Sequence, residues 1–162
     1  MKPRKSWQEK LADSKDLPKV EELPERMKAR FGEGTQVIPA PIEVDEVMRR
    51  VPKGKVTTVN HIRLALAKKH NANTACPLAT GIFTWIAAHA AEEKVALKPS
   101  ARITPYWRTL KANGVLNEKY PGGIAKQSQN LRAEGHRVVR KGKYYVLADL
   151  ETSLFDFGVS AK

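Results

Sequence analysis

Apolar residues recur at helical spacing through the first half of the chain's central region. One stretch has them at i, i+3, i+4 and i+7, the pattern of an amphipathic helix: Val44, Val47, Met48 and Val51. A second helix is predicted from Thr58, a favoured N-cap residue, to about Lys69. A third begins at Pro77, because proline suits the first helical turn, and extends to about Val95. Two helices joined by the polar turn 71–74 predict a helix-turn-helix.

A different pattern appears near the C-terminus. Residues 136–147 combine β-branched, aromatic and basic residues, which predicts a β-hairpin with its turn centred on Lys141 and Gly142. A fourth helix is expected between the pair Gly122-Gly123 and Gly135. The predicted fold class is therefore mainly α with a small β-hairpin, arranged as a winged helix-turn-helix domain.

The flanking segments are predicted to be less regular. Residues 1–40 form an N-terminal arm or small helical element, in which Ser6 begins a capping box. The stretch 32–41, with two glycines and two prolines among its residues, is predicted to be a linker or loop. Residues 41–150 form the main domain, and residues 151–162 form a C-terminal tail.

Charge and cysteine content narrow the function. The chain has 29 Lys and Arg against 17 Asp and Glu, a formal net charge of +12, which favours nucleic acid as a partner. Its single Cys76 excludes an internal disulfide, and no apolar run marks a signal peptide or membrane span. We therefore expect a cytoplasmic protein, associated with the nucleoid when bound to DNA. The four histidines lack metal-ligand spacing, so no metal and no cofactor are predicted.

The third helix has one face of small, uncharged residues. Thr80, Thr84 and Ala88 share it, and Gly81 lies beside it. Such a face permits close approach either to the floor of a DNA minor groove or to a neighbouring helix. Helix geometry alone does not choose between the two.

A motif further along the chain favours the groove. Residues 104–108 are Thr-Pro-Tyr-Trp-Arg, and residues 116–123 are Leu-Asn-Glu-Lys-Tyr-Pro-Gly-Gly. Together with the Pro-Lys-Gly-Lys-Val-Thr-Thr sequence at 52–58, they resemble the O6-alkylguanine-DNA alkyltransferases over roughly residues 42–147. The resemblance is closest to the non-catalytic alkyltransferase-like proteins, because the position of the reactive Cys is occupied by Tyr106. A phenol, with a pKa near ~10, is a poor nucleophile at neutral pH.

The resemblance implies a domain of the alkyltransferase C-terminal type, with the third helix in the minor groove. It implies DNA contacts by the small face and by Arg108 and Lys111, which would hold phosphates or the orphan-base strand. The chain also departs from the family at two positions of the predicted DNA-binding region. Val59 stands where the family has a Tyr, and Pro77 stands near the position of the Arg finger, the residue that fills the gap left by a flipped base. Loss of that finger weakens the expectation of base flipping.

Five residues are expected to form or close what remains of a base pocket: Tyr106, Trp107, Tyr120, Gly122 and Gly123. Of the two neighbouring aromatic residues, Tyr106 is predicted to face the pocket and Trp107 to pack inward, although both side chains also suit the core. The hairpin residues Arg140 and Lys141 either contact phosphates or protect an edge strand by charge.

The first hypothesis is a non-enzymatic protein that binds duplex DNA, either unmodified or alkylated, and flags lesions for a repair partner. The alternative is a winged-helix regulator or architectural protein without lesion recognition. A third hypothesis is an enzyme that uses Tyr106 or Cys76 as nucleophile. It is the least favoured of the three, because no general base is evident beside either residue.

Overall fold

The structure is a computed structural model, and it describes residues 4–159. Within these residues the chain is mainly helical, with three small sheets. The helices are α1 (Trp7–Ala12), α2 (Glu25–Phe31), α3 (Pro41–Arg49), α4 (Val59–Lys69), α5 (Pro77–Leu97), α6 (Gly123–Ala133) and α7 (Leu150–Ser153). The strands are β1 (Lys19–Glu22), β2 (Thr35–Ile38), β3 (Thr57–Thr58), β4 (Thr74–Ala75), β5 (Thr109–Leu110), β6 (Val138–Lys141) and β7 (Tyr144–Leu147). The predicted mainly-α class is confirmed at this level.

Local sequence explains where several helices begin. The Thr58 hydroxyl accepts a hydrogen bond from the His61 amide at 3.3 Å, which confirms the predicted cap of α4. Pro77 occupies the first turn of α5, where its missing N–H is not needed. Ser6 caps α1 in the same way as Thr58 caps α4, by accepting from the Glu9 amide at 3.1 Å.

The predicted hairpin is also confirmed. Val138 pairs with Leu147 and Lys141 pairs with Tyr144, so the turn lies at Gly142 and Lys143, one residue later than expected. Gly142 has φ +63°, a conformation that suits glycine at the first central position of a two-residue hairpin turn.

The segment predicted as a linker contains a strand instead. β2 lies at the centre of a three-stranded sheet, antiparallel to β1 and parallel to β4, and its Val37 is completely buried. Both partners are distant in the chain, which explains why local glycines and prolines gave the wrong prediction. Thr74, predicted to lie in a turn, begins β4.

The segments outside residues 41–150 are packed onto the main body. Trp7 of α1 stacks on His89 of α5 at a centroid distance of 4.4 Å, and Glu93 accepts from the Trp7 amide at 3.0 Å. At the other end, the Val56 amide donates to Ser153 O at 2.9 Å. The domain boundaries at 40 and 150 stay predictions. The described residues before 40 and after 150 are nevertheless in direct contact with residues of the main body.

The core of the main body surrounds α5. Apolar side chains of α3 and α4, among them Met48 and Leu66, pack with Ala87 and Ala88 of α5 and with Tyr106. This arrangement fixes one face of α5 in the interior and leaves the other to the surface.

Candidate nucleic-acid interface

The buried face of α5 is the small-residue face. Thr80, Thr84 and Ala88 are at most 1% exposed. The two hydroxyls are satisfied within the helix, Thr80 by Cys76 O and Thr84 by Gly81 O, each at 2.7 Å. The predicted DNA contacts of Thr80 and Ala88 are therefore wrong, because the core occupies the face on which they lie. Thr84 is also buried but borders the cleft described below, so its contact with DNA stays a prediction.

The exposed face of α5 is apolar and lies at its N-terminal half. Leu78 is 71% exposed and Ile82 is 43% exposed, although both are large hydrophobic residues. Gly81 lies between them, and a Cβ placed on it would meet no atom within 4 Å. Nothing inside the protein thus requires glycine here, where it costs helix stability relative to alanine. The exposure of Leu78 and Ile82 does not follow from the sequence, because apolar residues on one helix face usually point toward the core.

A cleft of about 580 Å³ opens beside this exposed face. We call it the α5 cleft. One wall consists of α5 and the start of α4, with Val59, Pro77, Leu78, Gly81, Ile82, Thr84 and Trp85. The two positions where the sequence departs from the resembled family, Val59 and Pro77, therefore lie together at this wall.

The opposite wall comes from the segment that follows β5. Lys111, Asn117, Glu118 and Lys119 line it, and only Lys111 among them was predicted as a site residue. Lys111 Nζ lies 3.4 Å from the Glu118 carboxylate, while Lys119 is exposed. The Asn117 side chain accepts from the Lys119 amide at 3.0 Å, which holds the turn in shape. The cleft thus combines an apolar wall with a charged, hydrogen-bonding wall.

None of the five predicted pocket residues is among the described residues that line the α5 cleft. Tyr120 is buried behind it and donates to Thr109 O at 3.0 Å. Gly122 and Gly123 begin α6, both with positive φ. Gly122 is needed for packing, because a Cβ there would lie 2.6 Å from Lys126 Cβ.

Tyr106 lies in the core and not at a pocket. Its side chain is fully buried and its hydroxyl donates to Glu92 Oε1 at 2.6 Å. Burial, reinforced by the Glu92 carboxylate, raises the pKa of the Tyr106 phenol far above its usual value. Trp107 is half-buried and packs against two groups of buried apolar side chains, one that includes Met48 and one that includes Leu110. This position agrees with the prediction that Trp107 packs inward. The predicted division of roles is thus wrong for Tyr106, whose phenol is neither accessible nor ionised.

Arg108 has a structural role. Its Nε and Nη2 donate to the Glu134 carboxylate at 2.9 and 2.7 Å, and Nη1 donates to Val51 O at 2.9 Å. Burial opposes ionisation of Glu134, but the Arg108 guanidinium holds the pKa of that carboxyl below its usual range. The predicted phosphate contact of Arg108 is therefore wrong, since its charge is already neutralised within the fold.

The two basic hairpin residues are at the surface. Arg140 and Lys141 are exposed on β6, and Arg140 Nε donates to Gly142 O at 3.1 Å. They do not line the α5 cleft. Whether they contact DNA stays a prediction.

Within residues 4–159, no group of three or more His, Cys, Asp or Glu side chains is arranged to hold a metal ion. In the same part of the chain, no helix combines the length and the apolar character needed to cross a membrane.

Comparison with known proteins identifies the fold. No protein-family model matches the chain, and no curated protein matches it. Solved structures do match, among them S. pombe Atl1 in complex with damaged DNA containing O6-carboxymethylguanine, at 18% identity, and S. pombe ATL in complex with DNA, at 17%. Each of these two matches has a TM-score of 0.50 and covers 72% of this chain and 94% of that chain. The resemblance inferred from the sequence is thus confirmed for the fold, which is that of an alkyltransferase-like protein.

Proposed function

We propose that the chain is a non-enzymatic DNA-binding protein that inserts the exposed face of α5 into the minor groove and senses alkylated guanine at the α5 cleft. In this proposal α4 and α5 form the helix-turn-helix, and the β6–β7 hairpin is the wing. The observation that carries it is the apolar, glycine-containing face of α5, left open beside a cleft in the fold of a protein solved on damaged DNA.

The charge of the chain supports DNA as the partner. A net charge of +12 attracts a polyanion, and Lys111 and Lys119 lie on the wall of the cleft opposite the exposed face. Leu78 and Ile82 offer apolar contact to sugars and base edges, while Gly81 permits close approach. No charged side chain therefore lies on the first turns of α5, where the groove would approach.

The α5 cleft is the proposed site for a base turned out of the duplex. A flipped base needs a pocket with a flat apolar surface and a few polar groups. Trp85 and Val59 supply the first, and Asn117 and Lys119 supply the second. Recruitment of a repair partner belongs to the same proposal.

The absence of alkyl-transfer chemistry is also proposed. Tyr106, at the position of the family's nucleophile, is buried, and this burial, reinforced by the Glu92 carboxylate, raises the pKa of its phenol far above the usual value. A nucleophile must reach the alkyl carbon and lose its proton, and this phenol meets neither condition. The intact mass of the protein should therefore stay unchanged after incubation with DNA that contains O6-methylguanine.

The test compares affinities for two duplexes that differ only in one O6-methyl group. We expect tighter binding of the alkylated duplex in fluorescence anisotropy, with no mass gain. Equal affinity for the two duplexes would remove lesion sensing but leave DNA binding in place. No binding of either duplex would remove the whole proposal.

One observation favours a second candidate, a winged-helix regulator or architectural protein without lesion recognition. The place of the family's Arg finger falls near Pro77, whose ring cannot fill the gap left by a flipped base. For this candidate, affinity would depend on the sequence or shape of the duplex and not on the O6-methyl group.

A further inference from the structure

A second, larger concavity lies on the other side of the α5 N-terminus. We call it the α2 groove, about 800 Å³ in volume, between α2 and the start of α4 and α5. It shares Pro77 and Leu78 with the α5 cleft, so the two depressions meet at one ridge. Nothing assigned above uses the α2 groove.

Three arginines line the groove, and no Asp or Glu side chain does: Arg26, Arg30 and Arg63. In the described part of the chain, Arg26 and Arg30 form no ion pair. Arg63 donates only to neutral oxygens, those of Ala75 at 2.9 Å, Thr74 at 3.1 Å and Asn60 at 3.2 Å. Burial and the nearby Arg30 lower the pKa of Arg63 from its usual value. The groove therefore carries a positive charge that the protein itself does not neutralise, which suits an anion.

A buried acceptor in the same groove also lacks a partner. Gln36 is 4% exposed, and its Nε2 donates to Glu21 Oε1 at 3.1 Å. Its Oε1 has no hydrogen-bond partner among the described residues. An unpaired buried acceptor is costly, and a ligand with an N–H group would satisfy it. A bare phosphate has no such donor, whereas the edge of a nucleobase does.

An aromatic side chain completes the set. Phe31 is 45% exposed at the end of α2, and the Arg30 guanidinium lies 5.3 Å from its ring centroid. An exposed aromatic ring beside arginines is the arrangement on which unpaired bases stack. The groove therefore offers one group for each part of a nucleotide: the arginines for the phosphate, the ring face of Phe31 for the base, and Gln36 Oε1 for a donor on the base edge.

We infer that the α2 groove holds one unpaired nucleotide of a DNA strand that continues from the α5 cleft, with its phosphate at Arg26 and Arg30 and its base between Phe31 and Gln36. The inference rests on the proposed function, because it takes the DNA at α5 as given. It adds a second contact on the strand, supplied by the N-terminal region that sequence reasoning treated as an arm.

The experiment uses the full chain and two probes, oligothymidine as a single strand and a fully paired duplex. Thymine N3–H is the donor that Gln36 Oε1 would accept. Phe31→Ala should weaken binding to oligothymidine about fivefold or more and leave the duplex affinity unchanged. Phe31 is exposed, so the variant should keep the wild-type circular dichroism spectrum and melting temperature.

A matched pair of double variants tests the phosphate contact. Arg26→Ala with Arg30→Ala should lower the slope of log affinity against log salt by about 1.4 on oligothymidine, the value for two contacts to a single strand. Lys98→Ala with Arg102→Ala removes the same charge from exposed positions at the far end of α5 and should leave the slope unchanged.

The outcomes separate the inference from the proposed function. If Phe31→Ala binds oligothymidine as tightly as wild type, or if the two double variants lower the slope equally, the α2 groove holds no nucleotide. In that case duplex binding by the wild type would still support the proposed function. If the wild type binds neither probe, both fail together.

Discussion

The two faces of α5 are both uncharged, yet they have opposite roles. One face consists of small residues such as Thr80 and Ala88 and is completely buried. The other carries the large side chains Leu78 and Ile82 and is exposed. Hydrophobicity therefore does not decide which face lies inside.

Side-chain size explains the difference better. Small residues allow α3 and α4 to approach the α5 backbone closely, which buries the apolar side chains of those helices. Large apolar side chains left in water, beside a glycine that no described contact requires, fit the proposal that this face binds a partner. The comparison predicts that substitutions on one face affect stability and those on the other affect binding.

The largest expected effect is on the buried face. Ala88→Leu adds three carbon atoms where no space is left and should lower the free energy of unfolding by about 3 kcal/mol. Urea denaturation measures it. Ala96→Leu makes the same change at an exposed position of α5 and should alter stability by less than about 0.5 kcal/mol. Similar stability of the two variants would contradict the buried position of this face.

The next effect is on the exposed face. Ile82→Asp places a carboxylate where phosphates are expected and should weaken duplex binding at least tenfold, about 1.4 kcal/mol, without unfolding the protein. Leu97→Asp introduces the same charge at the other end of α5, where the side chain is 77% exposed, and should leave binding unchanged. Anisotropy titrations of both variants at one salt concentration provide the measurement. An equal loss for both would mean that only net charge matters.

Local chemistry in the sequence was enough to predict much of the fold. The caps Thr58 and Ser6, the position of Pro77 and the hairpin turn at Gly142 follow from preferences within a few residues. Strand β2 could not be predicted in this way, because it forms by pairing with β1 and β4. Both partners are separated from it in the sequence and pair with it only in the folded state.

The candidate site was less predictable for a related reason. Three predicted DNA-contact residues, Gly81, Thr84 and Lys111, lie at one cleft, although their contact with DNA stays a prediction. The orientation of α5, the burial of Tyr106 and the pairing of Arg108 with Glu134 depend on which side chains α3, α4 and α6 bring nearby. Such tertiary contacts leave no periodic pattern in the sequence.

A substitution of Tyr106, at the position of the family's nucleophile, tests whether this residue serves stability, as the buried face of α5 does, or DNA binding. Tyr106→Phe removes the hydrogen bond to Glu92 and should cost about 1 kcal/mol of stability while leaving duplex affinity unchanged. Burial raises the pKa of Glu92, but Lys126 and the Tyr106 hydroxyl together hold it below its usual 4.5. The carboxylate's contribution is therefore present above pH 4.5 and is lost as the pH falls through the lower folded-state pKa.

The difference in stability between wild type and Tyr106→Phe should accordingly shrink below pH 4.5, as urea denaturation at several pH values would show. A difference that stays constant down to acid pH would mean that the hydroxyl's contribution does not depend on the charge of Glu92. A large loss of DNA affinity in the variant would instead place Tyr106 at the binding surface.

Gly81→Ala should give the smallest effect and the sharpest test, because its two consequences have opposite signs. Alanine is the better helix former, and its methyl group would meet no atom within 4 Å. The free energy of unfolding should therefore rise by about 0.5–1 kcal/mol. Duplex affinity should nevertheless fall, since the added methyl group stands on the face that we propose enters the groove. The control is Gly135→Ala, which also has open space but has φ +93°, a conformation that strains alanine and should lower stability. If Gly81→Ala raised stability and left affinity intact, glycine at this position would have no role in binding, and the exposed face of α5 would need another explanation.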